Sequence, residues 1–540
     1  MSAAPPDETW DFVIVGAGTA GCVLANRLTA SGQHRVLLLE AGGSDRRLWI
    51  RVPAGFARTV LDLRIGWNYL NQPSPATGNR VIPCPRGRVL GGSSSINGHL
   101  YVRGQAEDYA DWVSLGAEGW AWHNVLPYFK RAETRLGGDA KLRGDDGPLQ
   151  VSDPRMHHRL CEAFIGALEA HGVPRNPDYN SGAQTGAGYY QLLMKNGMRW
   201  SAADAYLRPA LKRANLTLRK RAQATRILFD GLRATRVEYG QGRHRRVAHA
   251  SREVILAAGT INSPQLLQLS GVGDPAHLSE LGIRVVQALP GVGQNLVDHY
   301  AVRIAARVRG AGTLNERSHG MRLAIEALKY LVARRGLLAS AVAHAYGFLP
   351  LVEDATRADL QLLFTPASYE AGHVGRAALE RAPGMTCGVT QMRPFSRGYV
   401  RIATADPFAS PEIQPNYLAD PRDLDALVQG VRAVRLLFAT EPLAKYVAAE
   451  TLPGPQVETI EQLAEFARSH GSTLYHPVGS CRMGTGEDAP LDPQLRVKGT
   501  EGLRVIDASA MPAMVSGNTY AAAIMIAEKG AEAVLAAARQ

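Results

Sequence analysis

His476 lies in the stretch STLYHPVGSCRMG, residues 472 to 484, followed closely by Pro477, Gly479 and Cys481. An imidazole titrates near ~6.5 when unperturbed, so it can take a proton at neutral pH. A lone histidine among apolar residues more often fills a core, and this one needs chemical company before it is read as a base. The stiff YHPVG backbone limits the ring's freedom, as a positioned base requires. Asn518, in SGNTYAAAIMI, heads a long apolar helical pattern. A buried helix start is a good place to present polar groups to a ligand. His157 and His158 have no third metal ligand spaced near them and read as a surface turn, so no metal is expected. Cys387 and Cys481 lack an adjacent histidine or basic helix terminus and read as packing residues.

The front of the chain carries a ligand motif with clearer mechanics. In WDFVIVGAGTAGCVLANRLTASGQHRVLLLEAG, residues 10 to 42, the run FVIV reads as a buried parallel strand. Gly16, Gly18 and Gly21 form GxGxxG, a helical stretch follows, and RVLLLE ends a second strand at Glu40. The first glycine permits the tight turn, the second admits a pyrophosphate, and the third lets helix and strand pack closely. The helix N-terminus offers unpaired N–H groups to phosphates, and an acid at Glu40 can bind ribose hydroxyls. An acid there argues against NADP. FAD and NAD share the ADP half, so the motif does not separate them.

Three further stretches must surround such a ligand. PRGRVLGGSSSINGHLYVRG, residues 85 to 104, has little side-chain bulk and suits close backbone approach to a flat polar ligand. REVILAAGTINSPQLLQLSGVG, residues 252 to 273, reads as a strand and then a helix with Ser263 as N-cap, Pro264 at its first position and Gly271 as stop. Residues 503 to 506 read as a strand leading through Asp507 and Pro512 to the final helix.

The 540 residues, 46% hydrophobic and 20% charged, exceed what one core usually serves, so two domains are expected. The net charge is +11, spread along the chain, and RHRRVAH at 243 to 249 reads as a hairpin edge. No basic stretch is interleaved with aromatics, so nucleic acid is not an expected partner. Five widely spaced cysteines without CxxC exclude a disulfide framework and fit a reducing cytoplasm. MSAAPPDETW has no signal-peptide pattern, and residues 1–9 read as a disordered leader. The C-terminal YAAAIMIAEKGAEAVLAAA is the nearest thing to a spanning run, but Glu528, Lys529 and Glu532 break it. It reads as a buried or amphipathic helix, which leaves peripheral attachment to a membrane surface open.

Taken in order, GAGTAGCVLANRL, GRVLGGSSSINGHLYVRG, LAAGTINSPQLLQLSGVG, PGVGQNLVDH, MRPFSRGYV, YHPVGSCRMG and LRVIDASAMPAMVSGNTYAAAIMIAEK resemble the glucose–methanol–choline family of FAD-dependent oxidoreductases. The nearest likeness is to its bacterial choline-dehydrogenase-like and alcohol-dehydrogenase-like branch. The resemblance implies an α/β fold with a doubly wound, Rossmann-type FAD-binding domain and an inserted α+β substrate domain of mixed sheet. The expected FAD segments are 8–155, 215–305 and 470–540, and the substrate segments are 156–214 and 306–469. It also implies a cofactor set of Gly16, Gly18, Thr19, Ala20, Gly21, Glu40, Ala41, Arg88, Gly92, Asn97, Gly98, Ala224, Asp507, Ala508 and Thr519. Some relatives link FAD covalently through a histidine where this chain has Ile96, so non-covalent FAD is expected.

The same resemblance implies that His476 and Asn518 are the catalytic pair. A primary alcohol would lose its proton to His476 and its hydride to flavin N5, with Asn518 holding the oxygen. His299, in NLVDHY, is expected to be a structural or flavin-side group. The electron acceptor would be a quinone or other carrier, or O2, and a dehydrogenase is favoured over an oxidase. A lyase or light-driven decarboxylase on the same fold is the alternative, as is a flavin-binding module without catalysis, against which both His476 and Asn518 stand. A choline cation would want an aromatic or acidic cage. Trp67, Tyr69, Tyr369 and Glu370 are its candidates, while bulky Tyr520 beside Asn518 argues for another pocket and an aliphatic or aryl alcohol.

Overall fold

The computed structural model describes residues 9–539 except 352–354, 356 and 371–378. The expected leader lies outside the described residues apart from Thr9, which begins the first strand, Thr9–Val15. The strand Val36–Glu40 pairs with it in parallel, Val13 opposite Leu37, and His244–Leu256 pairs on its other side, Val13 opposite Val254. Phe12, Val13, Ile14, Leu37 and Leu38 are all fully buried, as a strand covered on both faces must be. Leu216–Lys220 and Leu503–Val505 extend the parallel part. Ala222–Asp230 and Arg233–Gln241 add an antiparallel edge, so this seven-stranded sheet is mixed. The basic RHRRVAH run turns from Arg233–Gln241 into His244–Leu256, the expected hairpin edge.

Two helices, Thr19–Leu28 and Tyr520–Ala537, pack together beside this sheet. The charge that breaks the C-terminal apolar run explains itself here. Glu528 is fully buried, with Arg27 Nη2 at 2.7 Å, Arg131 Nε at 3.0 Å and the Tyr206 hydroxyl donating at 2.8 Å. The last helix is therefore a core helix held by a charged clasp.

The second large sheet runs Val447–Leu452, Tyr300–Val308, Gly384–Gln391, Leu360–Thr365, Ala345–Leu349, Gly186–Tyr189, with Ser472–Thr473 also on Tyr300–Val308. Its strand-to-strand pairings are antiparallel, and a parallel bridge from Arg175 to Ala187 adds to its edge strand. Alternation along the strands decides what each face does. Val302, Ile304, Leu362, Phe364, Cys387 and Val389 pack into a core with the helices Arg159–Ala170 and Pro421–Phe438. Their neighbours Ala301, Arg303, Leu363, Thr365, Thr386 and Gly388 face a large cavity between the sheets. The sheets follow a discontinuous division of the chain, although Tyr300–Val308 starts ahead of the expected boundary at 305 and Ser472–Thr473 crosses the one at 470.

The helix after the strand His244–Leu256 corrects a local expectation. It runs Gly259–Leu269, so Ser263 is not its cap and Pro264 lies inside it. A proline there leaves the Thr260 carbonyl without its helical donor. Ser480 Oγ supplies that bond at 2.5 Å, which is why the helix continues.

At the start of the short strand Glu133–Thr134, in a smaller four-stranded sheet, Glu133 is buried with Arg103 Nη2 at 2.6 Å and Arg143 Nε at 2.6 Å, both arginines buried too. Removing the carboxylate strands two buried cations. Glu133→Ala should lower the free energy of unfolding by about 3–5 kcal/mol, measured as a shift of the urea midpoint. An unchanged midpoint would mean that solvent reaches the guanidinium groups.

Candidate active site

The cavity wall begins at the glycine-rich turn. Gly21 meets the turn so closely that a Cβ on it would lie 1.8 Å from the Gly16 oxygen. The second glycine stretch comes up against the first: Gly91 N–H donates to the Ala17 carbonyl at 2.8 Å. Gly92 has φ +54°, and a Cβ there would lie 2.7 Å from Gly18 Cα. Glu40 fastens the same turn. Its Oε2 accepts from Ala17 N–H at 2.9 Å and its Oε1 from Gly42 N–H at 2.7 Å. Burial pushes its carboxyl up to about 7, against the pull of those donors and Arg88.

Opposite, Asp507 Oδ2 accepts from Gly259 N–H at 2.8 Å and Ser263 Oγ at 2.6 Å. Its Oδ1 takes both the amide and the hydroxyl of Ser509. This fixes Ala508 against the start of the Gly259 helix. Gly16, Gly18, Thr19, Ala20, Glu40, Ala41, Gly92, Asn97, Gly98, Ala224, Asp507, Ala508 and Thr519 all line the one cavity, together with His476 and Asn518. Of the expected set, Gly21 packs behind the wall, and Arg88 stands against two wall residues, Trp67 and Gln223. Its guanidinium stacks over Trp67 at 4.6 Å and donates to Gln223 Oε1 at 3.2 Å.

At the other end, four side chains form a directional chain. His299 Nε2 lies 2.7 Å from the Met392 carbonyl oxygen, which can only accept. That nitrogen therefore carries the proton, and in the neutral ring Nδ1 is bare. His299 Nδ1 lies 3.0 Å from His476 Nδ1, so His476 donates there and its Nε2 keeps a lone pair. Asn518 Nδ2 donates to that Nε2 at 3.0 Å, while its Oδ1 accepts from Gln361 Nε2 at 3.3 Å. The bare nitrogen of His476 thus sits beside an amide on the cavity wall. Burial, then His299 and Arg86, hold the His476 imidazole well below its usual range, so the ring is neutral. Burial pushes His299 down to about 4.

The backbone under the ring is anchored at each residue. Asp298 Oδ1 accepts from His476 N–H at 2.7 Å, and its Oδ2 accepts from Thr473 Oγ1 and the Tyr417 hydroxyl. Arg86 donates to the Tyr475 carbonyl at 2.8 Å, and Thr260 Oγ1 to that of Pro477 at 2.8 Å. Tyr475 itself takes φ +67°, a left-handed conformation rare for a bulky residue, which these bonds hold in place.

The structure gives the remaining candidates specific surroundings. His299, expected as a structural or flavin-side group, contacts the His476 ring directly. His158 Nδ1 caps the Arg159–Ala170 helix, accepting from Leu160 N–H, and His157 stacks on Tyr189. Among the described residues no group of side chains could hold a metal. The proposed cage does not assemble: Trp67 stacks on Tyr69 at 5.7 Å, Glu370 is exposed, and only Trp67 and Tyr369 of the four line the cavity. Tyr520 lines the cavity wall and also packs against the core of the first sheet near Cys22 and Tyr101. All five cysteines are buried free thiols, and burial raises Cys387 and Cys481. Arg199 was illegible as well: it is buried and donates to Asn97 Oδ1 at 2.8 Å, orienting that side chain.

Comparison with known proteins defines the class. The chain matches the GMC oxidoreductase family models at residues 10–301 and 394–527. It is 42% identical to the mitochondrial choline dehydrogenase of Mus musculus over 536 residues, 98% of this chain and 89% of that one. It is 39% identical to the alcohol dehydrogenase [acceptor] of Pseudomonas putida over 530 residues, 97% and 96% of the two chains. Among solved structures, a pyridoxine 4-oxidase from Mesorbium loti aligns with TM-score 0.86 and 29% identity, covering 97% of this chain and 98% of that one. A formate oxidase from Aspergillus oryzae aligns at 0.92 with 26% identity over 99% and 100%. The chain belongs to the GMC oxidoreductase family, whose members are FAD-binding flavoproteins. The residues present fit that cofactor. The paired glycine turns admit a pyrophosphate, and His99 Nδ1 and the Tyr520 hydroxyl, on wall residues, have no protein partner.

Proposed function

We propose that this protein oxidises a primary alcohol to the aldehyde, with His476 Nε2 as the base and Asn518 as the group that holds the substrate oxygen. Bound FAD supplies the two-electron acceptor, held without a covalent bond. Gly16, Gly18, Thr19, Ala20, Gly21, Glu40 and Ala41 would hold the ADP half, with Ala224 near the adenine. Asn97, Gly98, Asp507, Ala508 and Thr519 would lie against the flavin. Ile96, buried on the wall, offers no nucleophile for a link. The reading rests on one observation, the hydrogen-bond chain that leaves His476 Nε2 unprotonated beside Asn518.

The substrate we favour is a neutral aliphatic or aryl alcohol, not choline. The cavity face of the second sheet presents Ala301, Leu363, Thr365, Thr386 and one cation, Arg303, without a carboxylate. A positive charge there repels a quaternary ammonium group, and no acid among the described wall residues of that face offsets it. Electrons would pass on to a quinone or similar carrier. Anaerobic addition of choline, medium-chain alkanols and benzyl alcohol should bleach the flavin band with the neutral alcohols, and readmitted air should restore it slowly. Failure with every alcohol would sink the reading, and rapid recovery in air would make the enzyme an oxidase. Arg303→Glu should improve kcat/KM for choline by about tenfold, the value of one nearby charge of about 1.4 kcal/mol, relative to benzyl alcohol. No change in that ratio would remove Arg303 from substrate selection.

A further inference from the structure

One helix is built inside out with respect to its own core. Gly320–Ala333, GMRLAIEALKYLVA, has eleven apolar residues, counting Gly320 and Tyr330, yet buries only Glu326 and Tyr330. Met321, Leu328, Leu331 and Val332 are 61–79% exposed. Positions 321, 325, 328 and 332 recur with helical spacing, so Met321, Ile325, Leu328 and Val332 form one stripe, opposite Glu326 and Tyr330. The apolar stripe therefore points away from the molecule. A globular fold gains nothing from that arrangement in water, and a contiguous exposed apolar patch marks an interaction surface.

Charge identifies the partner. From residue 314 to 336 the chain carries Arg317, Arg322, Lys329, Arg334 and Arg335 against two acids, Glu316 and Glu326. Glu326 is buried and spent on Lys329 and the Leu337 amide, and Glu316 caps the preceding turn at Thr313. The rim of the stripe is therefore basic. The adjoining segment has the same character: Leu48 and Leu63 are exposed, with Arg46, Arg47 and Arg58 around them, while Arg64 is paired with Asp62. Its Trp49 and Val52 pack on Tyr330 and Ala339, which joins the two segments into one surface. Apolar side chains rimmed by lysine and arginine are what an interfacial helix presents to an anionic bilayer. A second copy of a chain with net charge +11 would meet this rim with like charge.

We infer that Gly320–Ala333 and the adjoining Leu48–Arg64 surface dock this protein onto an anionic lipid surface as a peripheral membrane protein. The helix is too short to cross, and no helix among the described residues is long and apolar enough to do so. The docked face is close to the cavity, since Phe56 and Val342, near Val52 and Ala339 in the chain, line it. An apolar alcohol or a lipid-dissolved electron carrier would then be concentrated beside the wall of the site. The docking itself does not depend on which substrate is oxidised.

The test is cosedimentation of the FAD-loaded protein with vesicles of phosphatidylcholine alone and of equal parts phosphatidylcholine and phosphatidylglycerol. The expected result is binding to the anionic vesicles, weakened by salt. Leu328→Asp with Leu331→Asp should reduce the partition coefficient by at least about tenfold. Arg322→Glu with Arg335→Glu should do the same, near about 1 kcal/mol per basic residue. Both variants should keep the wild-type circular dichroism and flavin spectrum, and if the first fails to fold the second decides. Equal sedimentation of wild type and both variants, or none with anionic vesicles, overturns the inference. A wild-type dimer that the leucine variant converts to monomer, without lipid binding, also overturns it and assigns the stripe to a second copy.

Discussion

His476→Ala should slow alcohol-driven bleaching of the flavin band by about 10²–10⁴-fold while FAD remains bound, as the loss of a positioned general base does. The ring contacts Asn518 and His299, and the backbone N–H bond to Asp298 survives the substitution, so the loop should hold its shape. The acid limb of the wild-type kcat/KM profile supplies an independent check. The folded ring is held below its ordinary value, so the neutral, active form persists as pH falls and activity is lost only below ~6.5. Removing the ring should abolish that limb along with the rate. Wild-type bleaching by the alanine variant would take His476 out of the reaction altogether.

The pH argument extends to stability. His99, His158, His299 and His344 are buried and their pKa values depressed, His158 and His299 to about 4 and His344 to about 3, chiefly by burial. The unfolded chain binds more protons to them than the folded one, so their contribution is full above ~6.5 and is lost as pH falls toward those values. Glu40 acts in the opposite sense. Its raised pKa favours the fold at low pH and less so above about 7. Buried Asp108 and Asp298, also raised by burial, act with Glu40, while the four histidines pull the other way as pH falls from ~6.5.

Local sequence carried the dinucleotide turn because every part of it is local. A strand, three glycines and an acid lie within one βαβ unit, and each has a backbone reason to be where it is. His476 stood out as the candidate base for a different reason, through a stiff motif and a family likeness. What the sequence hid is the company His476 keeps. His299 is 177 residues away, Gln361 is 157 from Asn518, and Arg199 is 102 from Asn97. No periodicity marks such pairings, since they exist only once distant segments of the chain are brought together. Pro264 misled for the mirror-image reason. The rule that proline starts a helix is local, and the bond from Ser480 that overrides it comes from 220 residues away. The stripe on Gly320–Ala333 was equally unreadable, because an apolar period gives a helix one preferred face without saying which way that face turns.

The cradle offers the second large effect. Gly92→Ala should raise the dissociation constant for FAD by about 100-fold, roughly 3 kcal/mol, from left-handed strain and overpacking together. Gly92 sits at φ +54° with its absent Cβ aimed at Gly18 Cα, 2.7 Å away, and backbone cannot swing aside as a side chain can. The two glycine loops would have to part, which opens the turn that Glu40 fastens through Ala17. Gly32→Ala separates the two causes. Gly32 also has a positive φ, +76°, but nothing lies within 4 Å of its Cβ position. It should lose only about 1–2 kcal/mol of stability and keep its FAD. The ratio of flavin to protein absorbance after gel filtration reads both variants. If Gly92→Ala keeps FAD as well as Gly32→Ala does, the contact between the loops is dispensable, and the dinucleotide turn alone must carry the cofactor.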